Sequence, residues 1–130
     1  MNGSELRLRC PAESPYVALV RHALTAFLVV LQMDRRRLED VTMAAGEALA
    51  NIIEHAYAGG VASEAYLELR ACVSGDGRLS IDVSDAGAFI TREPLPGRGF
   101  GLKIIRAIAA ELQIDTSRGT HLHMTFDSKR

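Results

Sequence analysis

The chain has 130 residues, of which 48% are hydrophobic and 24% charged, and its net charge is −1. This balance predicts one globular domain over residues 1–130 and argues against a disordered chain. The small net charge argues against strong electrostatic binding of nucleic acid or of an anionic membrane surface. Two cysteines without metal-like spacing, and an N-terminus without an apolar signal core, indicate a cytoplasmic protein without a membrane segment.

The first half of the chain predicts one strand and two helices. ELRLRC (5–10) alternates polar and apolar residues, which is typical of a short strand. A Ser-Pro pair then predicts a helix over 14–31, with Ser14 as its N-cap. Asp34 is the predicted cap of a second helix over about 35–58, and two glycines end that helix.

The second half predicts a hairpin, a loop, a helix and a last strand. Residues 65–73 and 78–84 alternate with period two around a turn that contains two glycines. Residues 85–99 hold three glycines and two prolines and predict a functional loop, followed by a helix over about 100–111 and a strand over 120–126. The order β-α-α-β-β-loop-α-β predicts an α+β two-layer sandwich, with a mixed, mostly antiparallel sheet and helices on one face.

One polar row on the second helix stands out. Glu47, Asn51 and His55 recur every fourth residue, so they lie within about 80° of one helical face. Such a row is also what any amphipathic helix presents to solvent. Its neighbours are the small residues Ala44, Ala48 and Ala50, which leave room for a ligand to approach.

Three further motifs follow in the chain. Asp85 and Gly87 come directly after a strand, where a carboxylate can accept a hydrogen bond from an exocyclic amine and a glycine permits close approach. The stretch GRGFGL opens into a helix, so its backbone amides could bind phosphate at a helix N-terminus. A Gly-Thr pair that ends at Thr120 precedes the last strand. Each motif alone is also common in ordinary turns.

As an ordered set, E-x-x-x-N, D-x-G, G-x-G-x-G and G-T resemble the GHKL ATPase superfamily (gyrase, Hsp90, histidine kinase, MutL), whose ATP site is the Bergerat fold. The resemblance spans residues 34–126. Within that superfamily the chain is most similar to the small anti-sigma-factor serine/threonine kinases of bacteria. The run from Glu47 to Tyr57 and the short lid between Gly87 and Gly97 carry this likeness.

The resemblance implies ATP and Mg²⁺ as ligands and assigns roles on the second helix. Asn51 would complete the coordination of Mg²⁺, and Glu47 would be the general base that takes the proton of the attacking hydroxyl. His55 would lie toward the phosphates. One side-chain oxygen together with phosphate oxygens suits Mg²⁺, which keeps several of its waters.

The resemblance also assigns the adenine and phosphate contacts. Asp85 would bind the adenine amine, Thr120 would support the same edge, and Gly87 would let the base approach. Ala88 stands where the loop of the family usually has a second glycine. The phosphates would be surrounded by Gly97, Arg98, Gly99, Gly101, Leu102 and Lys103.

Three functions follow as alternatives. The first is a serine/threonine kinase and anti-sigma factor, which binds a sigma factor and phosphorylates a STAS-domain anti-anti-sigma protein. The second is a detached histidine-kinase ATPase domain, although His22 is the only candidate phospho-acceptor before residue 34. The third is a binding module in which ATP sets the affinity for a partner without being consumed.

Several other residues are predicted to be structural. Met33, Met43 and Met124 are expected in the core. His121 and His123 alternate with apolar residues, so one face of the last strand is expected to be solvated rather than to bind metal. The first helix carries more apolar surface than one sheet face needs, which leaves homodimerisation, sigma-factor docking and core burial open.

Overall fold

The computed structural model describes residues 3–58, 65–87, 99–115 and 119–127. Within these ranges the elements, in chain order, are β1 (Glu5–Pro11), α1 (Ser14–Val30), α2 (Arg35–Ala58), β2 (Ala65–Val73), β3 (Leu79–Gly87), α3 (Gly99–Ile108), β4 (Glu111–Asp115) and β5 (His121–Phe126). No helix in this part of the chain combines the length and the apolar character needed to cross a membrane.

The strands form one sheet in the order β1-β2-β3-β5-β4. Each neighbouring pair among these strands is antiparallel. Helix α2 packs on β2 and β3 and lies between α1 and α3, while α1 contacts β1 and α3 contacts β4. The predicted α+β fold with two layers is therefore confirmed, and the described sheet is antiparallel throughout.

The N-cap prediction is correct for α2 and wrong for α1. Asp34 caps α2 as predicted, because its Oδ1 accepts a hydrogen bond from the backbone N–H of Arg36 at 3.1 Å. The prediction of Ser14 as an N-cap is wrong. Ser14 is the first residue of α1, and the extended Glu13 precedes it without a side-chain capping bond. The proline at the start of α1 suffices to set the helical backbone angle there.

The prediction of a helix up to residue 111 is also wrong, and β4 was not predicted. The helix stops at Ile108, and the backbone N–H of Ala110 already donates to the carbonyl of Thr125 in β5 at 2.8 Å. Strand β4 is an edge strand in which Leu112 is half-buried and its neighbours are exposed. With so few inward side chains, its sequence carries little period-two signal.

The core fills the space between the helices and one face of the sheet. The inward side chains of β2, β3 and β5 alternate with polar ones, as in Leu67, Leu69 and Ile81. The helices contribute a fully buried set that includes Val20, Leu24, Leu28, Val41, Ala45, Leu49, Ile52 and Ile105. On α1, however, Leu19, Val29 and Val30 are 57%, 58% and 63% exposed. The excess apolar surface predicted for this helix therefore faces outward.

The other face of the sheet is polar, which confirms the prediction for the last strand. Oδ1 of Asp82 in β3 lies 2.8 Å from Nε2 of His121 and 2.7 Å from Nδ1 of His123. The Nε of Arg70 donates to Glu5 at 2.6 Å on the same face. Within the ranges the structure describes, no three His, Cys, Asp or Glu residues form a group that could hold a metal ion.

Candidate functional site

Asp85, Gly87 and Thr120 lie at one end of the sheet. Helix α2 ends at Ala58, and β2 begins at Ala65, which pairs with Gly87 at the end of β3. The last residues of β3 therefore lie at the end of the sheet to which the C-terminal end of α2 leads. Thr120, just before β5, lies beside the same end of β3.

Asp85 and Thr120 are joined by two hydrogen bonds. The backbone N–H of Asp85 donates to the carbonyl of Thr120 at 3.0 Å, and the backbone N–H of Thr120 donates to Oδ1 of Asp85 at 3.2 Å. Thr120 is only 5% exposed, whereas Asp85 is half-buried. The carboxylate is thus fixed by its neighbour and still reaches the surface, which suits it to accept a hydrogen bond from a ligand.

A glycine makes the approach of Thr120 to β3 possible. Gly119 has a φ of 83°, which lies in the left-handed region that side chains with a Cβ rarely adopt. The Gly-Thr pair therefore has a structural reason: the glycine turns the chain and the threonine meets Asp85.

The strand itself is longer than predicted. The sequence predicts Asp85 and Gly87 in a loop, but both belong to β3, because the first residues of β2 extend the ladder to Leu67–Asp85 and Ala65–Gly87. Asp85 is consequently held by the sheet from both sides. The adjacent Ala88, which stands at the second glycine of the family motif, lies outside the described residues.

The polar row on α2 is only half-buried. Glu47 and Asn51 are both of intermediate exposure, and the Nδ2 of Asn51 donates to the carbonyl of Glu47 at 3.2 Å. This bond inside the helix orients the amide so that Oδ1 is the atom able to act as an oxygen ligand. His55 continues the row within α2, but its side chain is not among those that the structure describes.

The surroundings of this row differ from the prediction. Ala44 and Ala48, which were expected to leave room for a ligand, are fully buried in the core. Ala50, by contrast, is exposed. Ala50 therefore marks a solvent-facing flank of Glu47, and Ala44 and Ala48 mark the flank that turns toward the core.

The prediction that Met43 belongs to the core is wrong, since its side chain is 53% exposed. Met43 lies four residues before Glu47, so both occupy the same face of α2. The helical spacing to Glu47 was the signal that could have revealed this position. The expectation is right for Met124, which is fully buried, and Met33 packs half-buried against the core.

The glycine motif meets the start of α3. Gly99 and Gly101 lie in the first turn of this helix, whose backbone N–H groups lack partners within the helix in any α-helix. Leu102 is half-buried and Lys103 is exposed. Gly97 and Arg98 lie outside the described residues, so their role in phosphate binding stays a prediction.

A family model described as "Histidine kinase-like ATPase domain" matches residues 10–126. Two curated relatives are both serine-protein kinases RsbW. The protein of Bacillus pumilus (strain SAFR-032) is 25% identical over 136 residues, which cover 92% of this chain and 83% of the relative. The protein of Bacillus cereus (strain G9842) is 28% identical over 136 residues, with 93% and 83% covered.

Two solved structures have a similar fold. The structure of the RsbU and RsbW domains of Rv1364c from Mycobacterium tuberculosis matches with a TM-score of 0.73 and 25% identity, covering 95% of this chain and 31% of that one. The SiaB–SiaC complex from Pseudomonas aeruginosa matches with a TM-score of 0.68 and 17% identity, covering 93% and 87%. The second likeness concerns the fold alone.

Proposed function

The chain belongs to the histidine kinase-like ATPase domain family, and we infer that it is an ATP-dependent serine/threonine protein kinase that acts as an anti-sigma factor. The relatives named as serine-protein kinases resemble it over most of their own length. The observation that carries the inference is the pairing of Asp85 with Thr120, because it orients a carboxylate at the end of the sheet to which α2 leads.

For ATP, we propose that the carboxylate of Asp85 accepts a hydrogen bond from the exocyclic amine of adenine and that Thr120 supports the same edge of the base. Because this carboxylate is already held by a backbone N–H, it loses little further conformational entropy when the base binds. The start of α3, with Gly99 and Gly101, would offer backbone N–H groups to phosphate oxygens. The predicted phosphate contacts of His55, Gly97, Arg98 and Lys103 belong to the same proposal.

For Mg²⁺, the residues present fit a site completed by the nucleotide. Within the described residues no cluster of acidic or imidazole groups could hold a metal without help. A single amide oxygen is what an ion bound mainly through phosphates and water requires, and the orientation of Asn51 leaves Oδ1 for that purpose. When bound, the ion would neutralise charge on the phosphates.

For the reaction, Glu47 is the proposed base. The hydroxyl oxygen of a serine or threonine attacks the γ-phosphorus of ATP, the bond from that phosphorus to the β,γ-bridging oxygen breaks, and ADP leaves. The hydroxyl proton passes to the carboxylate of Glu47. Catalysis of this kind depends mainly on positioning, and α2 supplies it by holding Glu47 one turn from Asn51.

The partners follow from the same proposal. The substrate is a STAS-domain anti-anti-sigma protein, and the protein otherwise held is a sigma factor. Homodimerisation is proposed for the outward apolar residues of α1, namely Leu19, Val29 and Val30. Each of these partners is a protein, which agrees with the small net charge of −1.

The test is phosphoryl transfer with Mg-ATP and a STAS-domain protein from the same genome, followed by mass spectrometry. Glu47→Gln is expected to slow transfer roughly 10²- to 10⁴-fold, as the loss of a general base does. Binding of ATP should be unchanged. Glu39→Gln is the matched control, because Glu39 is an exposed acid on the same helix, two turns earlier.

Three outcomes would contradict the proposal. Unchanged transfer in Glu47→Gln would remove Glu47 from the reaction. Modification of histidine or aspartate instead of serine or threonine would favour the histidine-kinase alternative. ATP bound but not consumed with any STAS-domain partner would favour a nucleotide-gated binding module.

A further inference from the structure

We draw no further inference here: the strongest candidate, the cleft between the start of α2, the end of α3 and the end of β5, has a floor of Val41 and Phe126 that the fold itself covers to 1% and 3% exposure, and nothing in the described residues shows what would occupy it.

Discussion

Replacements of Asp85 can separate the contribution of its side chain to the stability of the fold from its proposed role in ATP binding. In Asp85→Ala, the backbone N–H of Thr120 loses its carboxylate acceptor, and Thr120 is 5% exposed. Leaving a buried donor unsatisfied costs about 1–3 kcal/mol. For 130 residues, the unfolding entropy is about 0.27 kcal/mol/K, so the Tm should fall by roughly 4–11 °C.

Asp85→Asn tests the other part. The amide keeps an oxygen that can accept from Thr120, so the free energy of unfolding should fall by less than about 1 kcal/mol. The amide nitrogen, however, is a donor where a carboxylate oxygen was an acceptor. Binding of ATP should weaken about 10- to 100-fold, the range of a lost charge-assisted hydrogen bond. Binding of GTP should weaken less, because its O6 accepts where adenine donates.

The assays are calorimetric titration with ATP and with GTP, and thermal unfolding of the same samples. Asp82→Asn is the control, because Asp82 is also in β3 but contacts His121 and His123 on the outer face of the sheet. It should change the Tm without changing the preference for ATP. An Asp85→Asn variant that keeps both its ATP affinity and its ATP-to-GTP ratio would refute the adenine assignment.

Two further predictions concern stability. Gly46→Ala should raise the free energy of unfolding by about 0.5–1 kcal/mol in urea titrations, because glycine is unfavourable inside a helix and a Cβ there meets Arg21 at an ordinary 3.5 Å; destabilisation would show that Arg21 cannot adjust. The hydrogen bond from Arg70 lowers the pKa of Glu5. Because the folded pKa is the lower one, the pair stabilises the fold above the ordinary glutamate value, and this contribution disappears as the pH falls through the folded pKa. An NMR titration should place the midpoint of Glu5 below that of a free glutamate, and Arg70→Gln should raise it; an unchanged midpoint in that variant would contradict the pairing.

Features encoded over a few residues were predicted correctly. Asp34 caps α2 because its side chain reaches backbone N–H groups only two and three residues away. The hairpin between β2 and β3 was predicted for the same reason. Its turn closes through a bond from the N–H of Gly77 to the carbonyl of Ser74, with Gly77 at a φ of 88°.

Features that depend on packing were predicted less well. Strand β4 forms by antiparallel pairing with β5, and only Leu112 of its residues is turned toward the core. Met43 was assigned to the core by residue type, yet the direction of a side chain on α2 depends on where α1 and α3 lie. For the same reason Ala44 and Ala48, which were predicted to leave room for a ligand, are core residues.

Asp85 and Glu47 are held by different parts of the fold, and this should separate binding from chemistry. Asp85 is fixed by the sheet and by Thr120, whereas Glu47 is fixed by the packing of α2. Since the Asp85→Asn change weakens only the contact with the base, saturating ATP should restore its rate of phosphoryl transfer. No concentration of ATP should restore Glu47→Gln, because binding is not what that variant lacks. A low rate of Asp85→Asn that persists at saturation would mean that Asp85 also positions the phosphates, and the two roles would then not be separable.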